Sequence, residues 1–182
     1  EGPTLRFLNA GEIQNISKSD LRELFETMYE MIVIGVLPDV YHKNLIYDDT
    51  NGFIVIDPME IGNDSEDDLA ATIRAFILHF RDIDPGKQTV LECLEEIDLY
   101  NSKLELLQKV KEVVAETWPE IEIDVELNKA IAEIHQEVDN LLEMVFKRLP
   151  IEEHSEYLAL IKDHCTNIFP VQTLQTSISI CE

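Results

Sequence analysis

The first strong pattern along the chain is an α-helical repeat of apolar residues that begins near Ser17. Apolar side chains recur there every three or four positions, which places them on one face of a helix. These positions are Leu21, Leu24, Phe25, Met28 and Ile32. Ser17 or Ser19 is a suitable N-cap, and Gly35 and Pro38 are residues that stop a helix. The pattern therefore predicts a helix from Ser17 to Val36.

After Pro38 the pattern changes to two short runs of β-branched and aromatic residues. The runs are NLIY at 44–47 and FIVID at 53–57, and DDTNG lies between them. An Asn-Gly pair between two such runs predicts a β-hairpin. The acidic segment GNDSEDD at 62–68 predicts a loop and an N-cap, and LAATIRAFILHF at 69–80 predicts a buried helix.

From Gln88 onward the pattern is helical almost without interruption. Helices are predicted at 88–96, 99–117, about 124–148 and 151–165, with breaks at Pro119 and Pro150. The third of them carries an apolar stripe of Leu127, Ile131, Ile134, Val138, Leu141, Leu142 and Val145. This stripe is either the core of a helical bundle or a groove for a partner helix. The tail at 169–182 has no helical period.

Composition and charge narrow the classes of function. The chain has 182 residues, 45% of them hydrophobic, and a formal net charge of −23. A negative charge of this size repels nucleic acids and anionic bilayers, so we expect neither as a partner. A basic protein surface or a divalent cation fits the charge better, although solubility alone would also explain it. No apolar run approaches the roughly 18 residues of a membrane span.

Asp39, Asn44 and Asp57 are spaced as phosphotransfer chemistry requires. Asn44 follows Asp39 by five positions, and Asp57 follows Asn44 by thirteen, across the predicted hairpin. Phosphoryl transfer needs a carboxylate that orients the attacking hydroxyl and oxygen ligands that hold Mg²⁺ against the phosphates. The hairpin register would fix the distance between Asn44 and Asp57. Taken singly, each residue also has an ordinary explanation as a turn or strand-end residue.

This arrangement resembles the C-lobe of the protein-kinase-like fold. In that family a catalytic loop of the form H-R-D-x-x-x-x-N is followed by a hairpin and a D-F-G triplet. The resemblance implies that Asp39 is catalytic, and that Asn44 and Asp57 bind the metal and the cofactor, with Mg²⁺ and ATP as cofactors. The helix before the loop and the buried helix at 69–80 resemble the helices that flank this segment in the family.

The resemblance implies a mainly α fold. We expect a kinase-like C-lobe of helices plus a short β-hairpin at 1–87 and a helical bundle at 88–168, which is a possible partner-binding region. The tail at 169–182 completes the chain. The chain opens without an initiator Met, so we expect a fragment or a processed N-terminus.

The chain departs from the family pattern around each aspartate. Leu37-Pro38 replaces the His-Arg pair before the catalytic Asp, and Asp57-Pro58-Met59 replaces D-F-G. Tyr41 stands two residues after Asp39, where protein kinases usually have Lys; Lys43 or His42 could supply that charge from another direction. No G-x-G-x-x-G loop and no Val-Ala-Ile-Lys strand is present in the sequence.

We therefore expect the C-lobe portion of an ATP- and Mg²⁺-dependent kinase of the compact bacterial effector type, inactive without its N-lobe. The alternative is a pseudokinase-derived scaffold whose acidic helical half binds a basic protein partner. The location expected is the cytoplasm or, for an effector, a host cytosol. Three widely spaced cysteines, Cys93, Cys165 and Cys181, agree with a reducing compartment.

Overall fold

The computed structural model describes residues 3–60, 68–81 and 89–153, together with 155, 156 and 159. Within these residues the chain is mainly helical, as predicted. The five α-helices are α1 (Ala10–Asn15), α2 (Lys18–Val33), α3 (Leu69–Leu78), α4 (Val90–Thr117) and α5 (Asp124–Arg148). Two small antiparallel sheets pair β1 (Val36–Leu37) with β4 (Met59–Glu60) and β2 (Leu45–Asp48) with β3 (Gly52–Val55).

Helix α2 begins and ends through local backbone chemistry. Ser17 is its N-cap: the Ser17 hydroxyl accepts from Asp20 N at 3.1 Å, and the Asp20 carboxylate accepts from Ser17 N at 2.8 Å. The helix stops at Val33, three residues before the predicted end at Val36. Gly35 there takes a φ of 82°, a left-handed conformation that ends helices, and Val36 belongs to β1.

The predicted hairpin is confirmed as β2 and β3. Tyr47 pairs with Phe53 and Asp48 with Gly52, so three residues form the turn. Gly52 has a φ of 69°, which glycine adopts without steric cost. The Asp48 carboxylate accepts from the backbone N–H groups of Thr50 and Asn51, each at 2.9 Å. The Tyr47 hydroxyl donates to the Asp20 carboxylate at 3.2 Å, which connects the hairpin to the start of α2.

The prediction of two helices at 88–96 and 99–117 is wrong, because α4 runs without a break from Val90 to Thr117. No glycine or proline lies near 97–98, and Ile97 is fully buried. The break at Pro119 is confirmed, since α4 ends at Thr117 with Trp118 as its C-cap. Helix α5 has the predicted bounds.

The apolar stripe of α5 packs into the protein core, and it is therefore not an open groove for a partner helix. Five of its seven members are buried, and Ile131 and Leu141 are partly buried against the same cluster. The core is shared by the first and second halves of the chain. Phe25 of α2 contacts Phe76 of α3 edge-to-face at 5.6 Å, and Lys109 of α4 donates to Ile16 O at 2.7 Å.

Some predictions fall on residues that the structure does not describe. Of the helix expected at 151–165, Ile151–Glu153 forms a single 3-10 turn, and most of the rest lies outside the described residues. The tail at 169–182 and nearly all of the acidic loop at 62–68 also lie outside them. The last residue of that loop, Asp68, is described and is the N-cap of α3, as predicted.

Candidate functional site

Asp39 lies in a short loop whose flanking residues hold it in place. The loop follows β1, and Pro38 and Val40 on either side of Asp39 are buried while Asp39 itself is partly buried. One carboxylate oxygen, Oδ1, accepts from the backbone N–H of Tyr41 at 3.1 Å. An aspartate that accepts from the N–H two residues ahead fixes the turn around itself. The carboxylate of Asp39 is therefore held at the surface in a defined orientation.

Asn44 contacts Asp39 directly. Asn44 closes a 3-10 turn, His42–Asn44, and its backbone N–H donates to Tyr41 O at 2.7 Å. Its side chain is 7% exposed, and Nδ2 donates to Asp39 Oδ2 at 2.6 Å. Because the acceptor is a carboxylate, the amide nitrogen is the end that faces Asp39. The amide oxygen of Asn44 is then the end available to a cation.

Asp57 is brought next to this loop by both sheets. Ile56 N donates to Asn44 O at 2.8 Å, so the ladder of the hairpin continues past Val55 to the residue before Asp57. In the other sheet, Met59 of β4 pairs with Leu37 of β1. Met59 is two residues after Asp57, and Leu37 is two residues before Asp39. The backbone of Asp57 therefore lies beside the segment that carries the other two predicted residues, and its side chain is exposed.

The backbone of Asp57 is also unusual. Its φ is 57°, and among the described residues it is the single non-glycine residue with a positive φ. Such a conformation is uncommon for residues other than glycine, although Asp adopts it more readily than most, and strained examples cluster at active sites and ligand clamps. The following Pro58 restricts this backbone further, since a residue before proline is biased towards extended conformations. The fold thus maintains a strained conformation at the predicted metal ligand.

His42 does not supply the charge that the sequence suggested for it. Its side chain is 5% exposed, and burial lowers its pKa to about 3, with the neighbouring charges of His79 and Lys103 adding to the effect. His42 is therefore neutral at ordinary pH. Nothing in the sequence around His42 signals this burial, because the contacts come from helix α3 more than thirty residues later.

An aromatic and basic surface lies beside Asp39. Tyr41 is 46% exposed, and its ring lies against the His79 ring with centroids 4.1 Å apart. The ammonium of Lys43 lies 5.3 Å from the centroid of Tyr41, a cation–π contact. Of the two residues considered as a replacement for the missing lysine, Lys43 is thus the one with an exposed positive charge.

The donor set fits magnesium. Mg²⁺ takes oxygen ligands, keeps several waters, and is usually held by one or two carboxylates together with substrate phosphates. Asp57 provides an exposed carboxylate, and Asn44 provides an amide oxygen. Within the described part of the chain, no group of three or more His, Cys, Asp or Glu side chains is arranged to hold a metal ion. A metal at this site would therefore depend on the amide of Asn44 and on phosphate oxygens.

Comparisons with protein-family models, with curated proteins and with solved structures give no match to this chain. None of the described helices combines the length and the apolar character needed to cross a bilayer. The chemistry of the site is accordingly inferred from its own residues.

Proposed function

We propose that Asp39, Asn44 and Asp57 form the metal-binding and catalytic end of a kinase-like phosphotransferase site that takes ATP and Mg²⁺. The observation that carries this proposal is the 2.6 Å hydrogen bond from Asn44 Nδ2 to Asp39 Oδ2, in a loop that a hairpin joins to Asp57. This contact holds the Asp39 carboxylate and the Asn44 amide together in one arrangement. A phosphotransfer site needs a carboxylate and an amide oxygen on adjacent positions.

Each residue has a distinct role in the proposed site. Asp39 accepts a hydrogen bond from the acceptor hydroxyl and orients it for in-line attack. Asn44 is held by Asp39 so that its amide oxygen can bind the metal, and Asp57 supplies the charged ligand. When bound, Mg²⁺ neutralises charge on the phosphates. The sequence has no glycine-rich phosphate loop, so we expect transfer only where another lobe supplies those contacts.

The order of elements supports a kinase-like C-lobe. Helix α2 leads through β1 into the Asp39 loop, the β2–β3 hairpin follows, and Asp57 precedes β4 and the buried helix α3. This is the order that the resemblance implies: helix, catalytic loop, hairpin, aspartate, helix. The positive φ of Asp57 agrees with the proposal, because strained backbone conformations cluster at active sites.

The proposal is tested by Mg²⁺-dependent ATP binding to the full-length protein, measured by isothermal titration calorimetry. Asp57→Asn removes the charged ligand at nearly constant volume, and Asp49→Asn is the matched control, an exposed aspartate in the turn of the same hairpin. We expect Asp57→Asn to weaken binding by about tenfold or more, and Asp49→Asn to leave it unchanged. Equal affinities for all three proteins would show that Asp57 is not a metal ligand.

A second candidate is a scaffold derived from a kinase, whose acidic helical half binds a basic protein. It is favoured by the exposed carboxylates of α4 and α5, among them Glu95 and Glu105, and by the replaced residues around both aspartates. Its test is binding of a basic polypeptide such as polylysine to the whole chain. The double variant Glu95→Lys/Glu105→Lys should weaken this binding more than two reversals on α2, Glu23→Lys/Glu26→Lys. Equal losses would indicate a general charge effect.

A further inference from the structure

His42 is the buried anchor of the loop that carries Asp39 and Asn44. Its neighbours on either side, Tyr41 and Lys43, are both exposed, whereas His42 is almost fully buried. The imidazole packs edge-on against Phe80, with centroids 4.5 Å apart, and lies 5.5 Å from the ring of Phe76. The imidazole thus docks the middle of the loop on α3 and on the 3-10 turn that follows it, beside the contact between Tyr41 and His79.

The polar contact of His42 is with the end of α3. Its Nε2 lies 3.3 Å from Phe76 O, and a carbonyl oxygen can only accept, so Nε2 carries the proton. Phe76 is in the last turn of α3, and its carbonyl oxygen also accepts from the backbone N–H of His79, the C-cap of that helix. The imidazole is therefore a second partner of this carbonyl, and the buried ring retains a hydrogen bond.

We propose that His42 is a positioning residue of the site, which fixes the loop to α3 and so keeps Asn44 Nδ2 on Asp39 Oδ2. His42 and Asn44 belong to the same 3-10 turn, so a shift of His42 moves Asn44 with it. Pro38 and Val40, which flank Asp39, are buried, and within the turn itself His42 and Asn44 are the buried side chains. The expected effect of His42 on metal binding rests on the proposed function. Its effect on the position of Asn44 does not, and the two effects can be measured separately.

The test uses three substitutions at His42 and one control. His42→Ala removes the anchor, His42→Phe keeps a ring without the donor, and His42→Gln keeps a donor without the ring. Val138→Ala, at a fully buried position of the α5 stripe, is the control for a general loss of stability. Two quantities are measured on the full-length protein: the affinity for Mn²⁺ as a Mg²⁺ substitute, and the NMR signals of the Asn44 side-chain amide.

We expect His42→Ala to weaken Mn²⁺ binding by about tenfold, the effect of removing a residue that orients a metal ligand. The Asn44 amide signals should move towards those of a solvated side chain and exchange faster. Val138→Ala should change neither quantity, and His42→Gln should restore the Asn44 signals more fully than His42→Phe. If His42→Ala does not fold, the comparison between His42→Gln and His42→Phe decides the same point.

Unchanged Asn44 signals in His42→Ala, or equal losses in His42→Ala and Val138→Ala, would overturn the anchoring role. A different result is also informative: wild type binds no Mn²⁺, but the Asn44 signals still change in His42→Ala. In that case the anchor stands, and the proposed metal site is the part that fails.

Discussion

Replacing His42 by phenylalanine should remove a specific sensitivity of the fold to acid. In the folded protein burial lowers the pKa of His42 to about 3, against 6.5 for an exposed histidine. A group whose folded pKa is depressed contributes stability above its unfolded pKa and loses it as the pH falls towards the folded value. The relevant window is therefore between about pH 6.5 and about pH 3.

The magnitude follows from the two pKa values. At about pH 5 an exposed histidine in the unfolded chain is mostly protonated, whereas the buried one is not. The pKa of 6.5 for an exposed histidine lies about 1.5 units above this pH, so wild type loses about 2 kcal/mol of stability between neutral pH and about pH 5. Other groups also make the stability of both proteins depend on pH. Their contribution is nearly the same in wild type and variant, so the comparison between the two proteins isolates His42.

The assay is urea unfolding of wild type and His42→Phe at two pH values, about pH 7.5 and about pH 5, with the linear extrapolation to water. Wild type should be the more stable protein near neutral pH, because the variant loses the hydrogen bond between His42 Nε2 and Phe76 O. The difference in the free energy of unfolding between wild type and His42→Phe should be about 2 kcal/mol smaller at the lower pH. An advantage of the same size at both pH values would refute the assignment of His42 as a buried, neutral group.

Two further substitutions test the elements that position the site. Ser17→Ala should cost about 1 kcal/mol by removing the N-cap of α2, and Ser19→Ala, at the exposed second residue of the same helix, should cost much less; chemical denaturation of both variants checks this. Equal costs would contradict the cap assignment. Asp57→Gly should stabilise the fold by about 1 kcal/mol, because glycine adopts a positive φ without strain, while it abolishes Mn²⁺ binding. A loss of stability in this variant would show that the Asp57 carboxylate contributes to the fold.

The elements that could be predicted from the sequence are those with local signals. Ser17 with Asp20 forms a capping box, Asn51-Gly52 closes the hairpin, Pro119 follows the end of α4, and Pro150 follows the end of α5. In each case the signal lies within a few residues of the boundary, so it does not depend on contacts with distant parts of the chain. The spacing of Asp39 and Asn44 was informative for the same reason, because one short loop brings their side chains together.

The features that the sequence did not predict depend on contacts between distant segments. Helix α4 buries residues on more than one side, since it packs between other helices, and its sequence therefore lacks a single apolar stripe. Strands β1 and β4 have two residues each, and the β2–β3 hairpin lies between them in the sequence. Strands this short have no local sequence pattern that predicts their pairing. The burial of His42 requires α3 to be docked first. The kinase-like ancestry stays a prediction, carried by the residues and their order.

The central claim is that Asp39, Asn44 and Asp57 form a cation site, and paramagnetic broadening by Mn²⁺ tests it most directly. Mn²⁺ is added below stoichiometric amounts to ¹⁵N-labelled protein, in about 0.15 M salt to screen weak binding to other carboxylates. We expect the amide signals of Asn44, Ile56 and Asp57 to broaden first. Asp57→Asn should remove this broadening, and Asp49→Asn should retain it. Broadening that spreads over α4 and α5 instead, or that is unchanged in Asp57→Asn, would contradict the account.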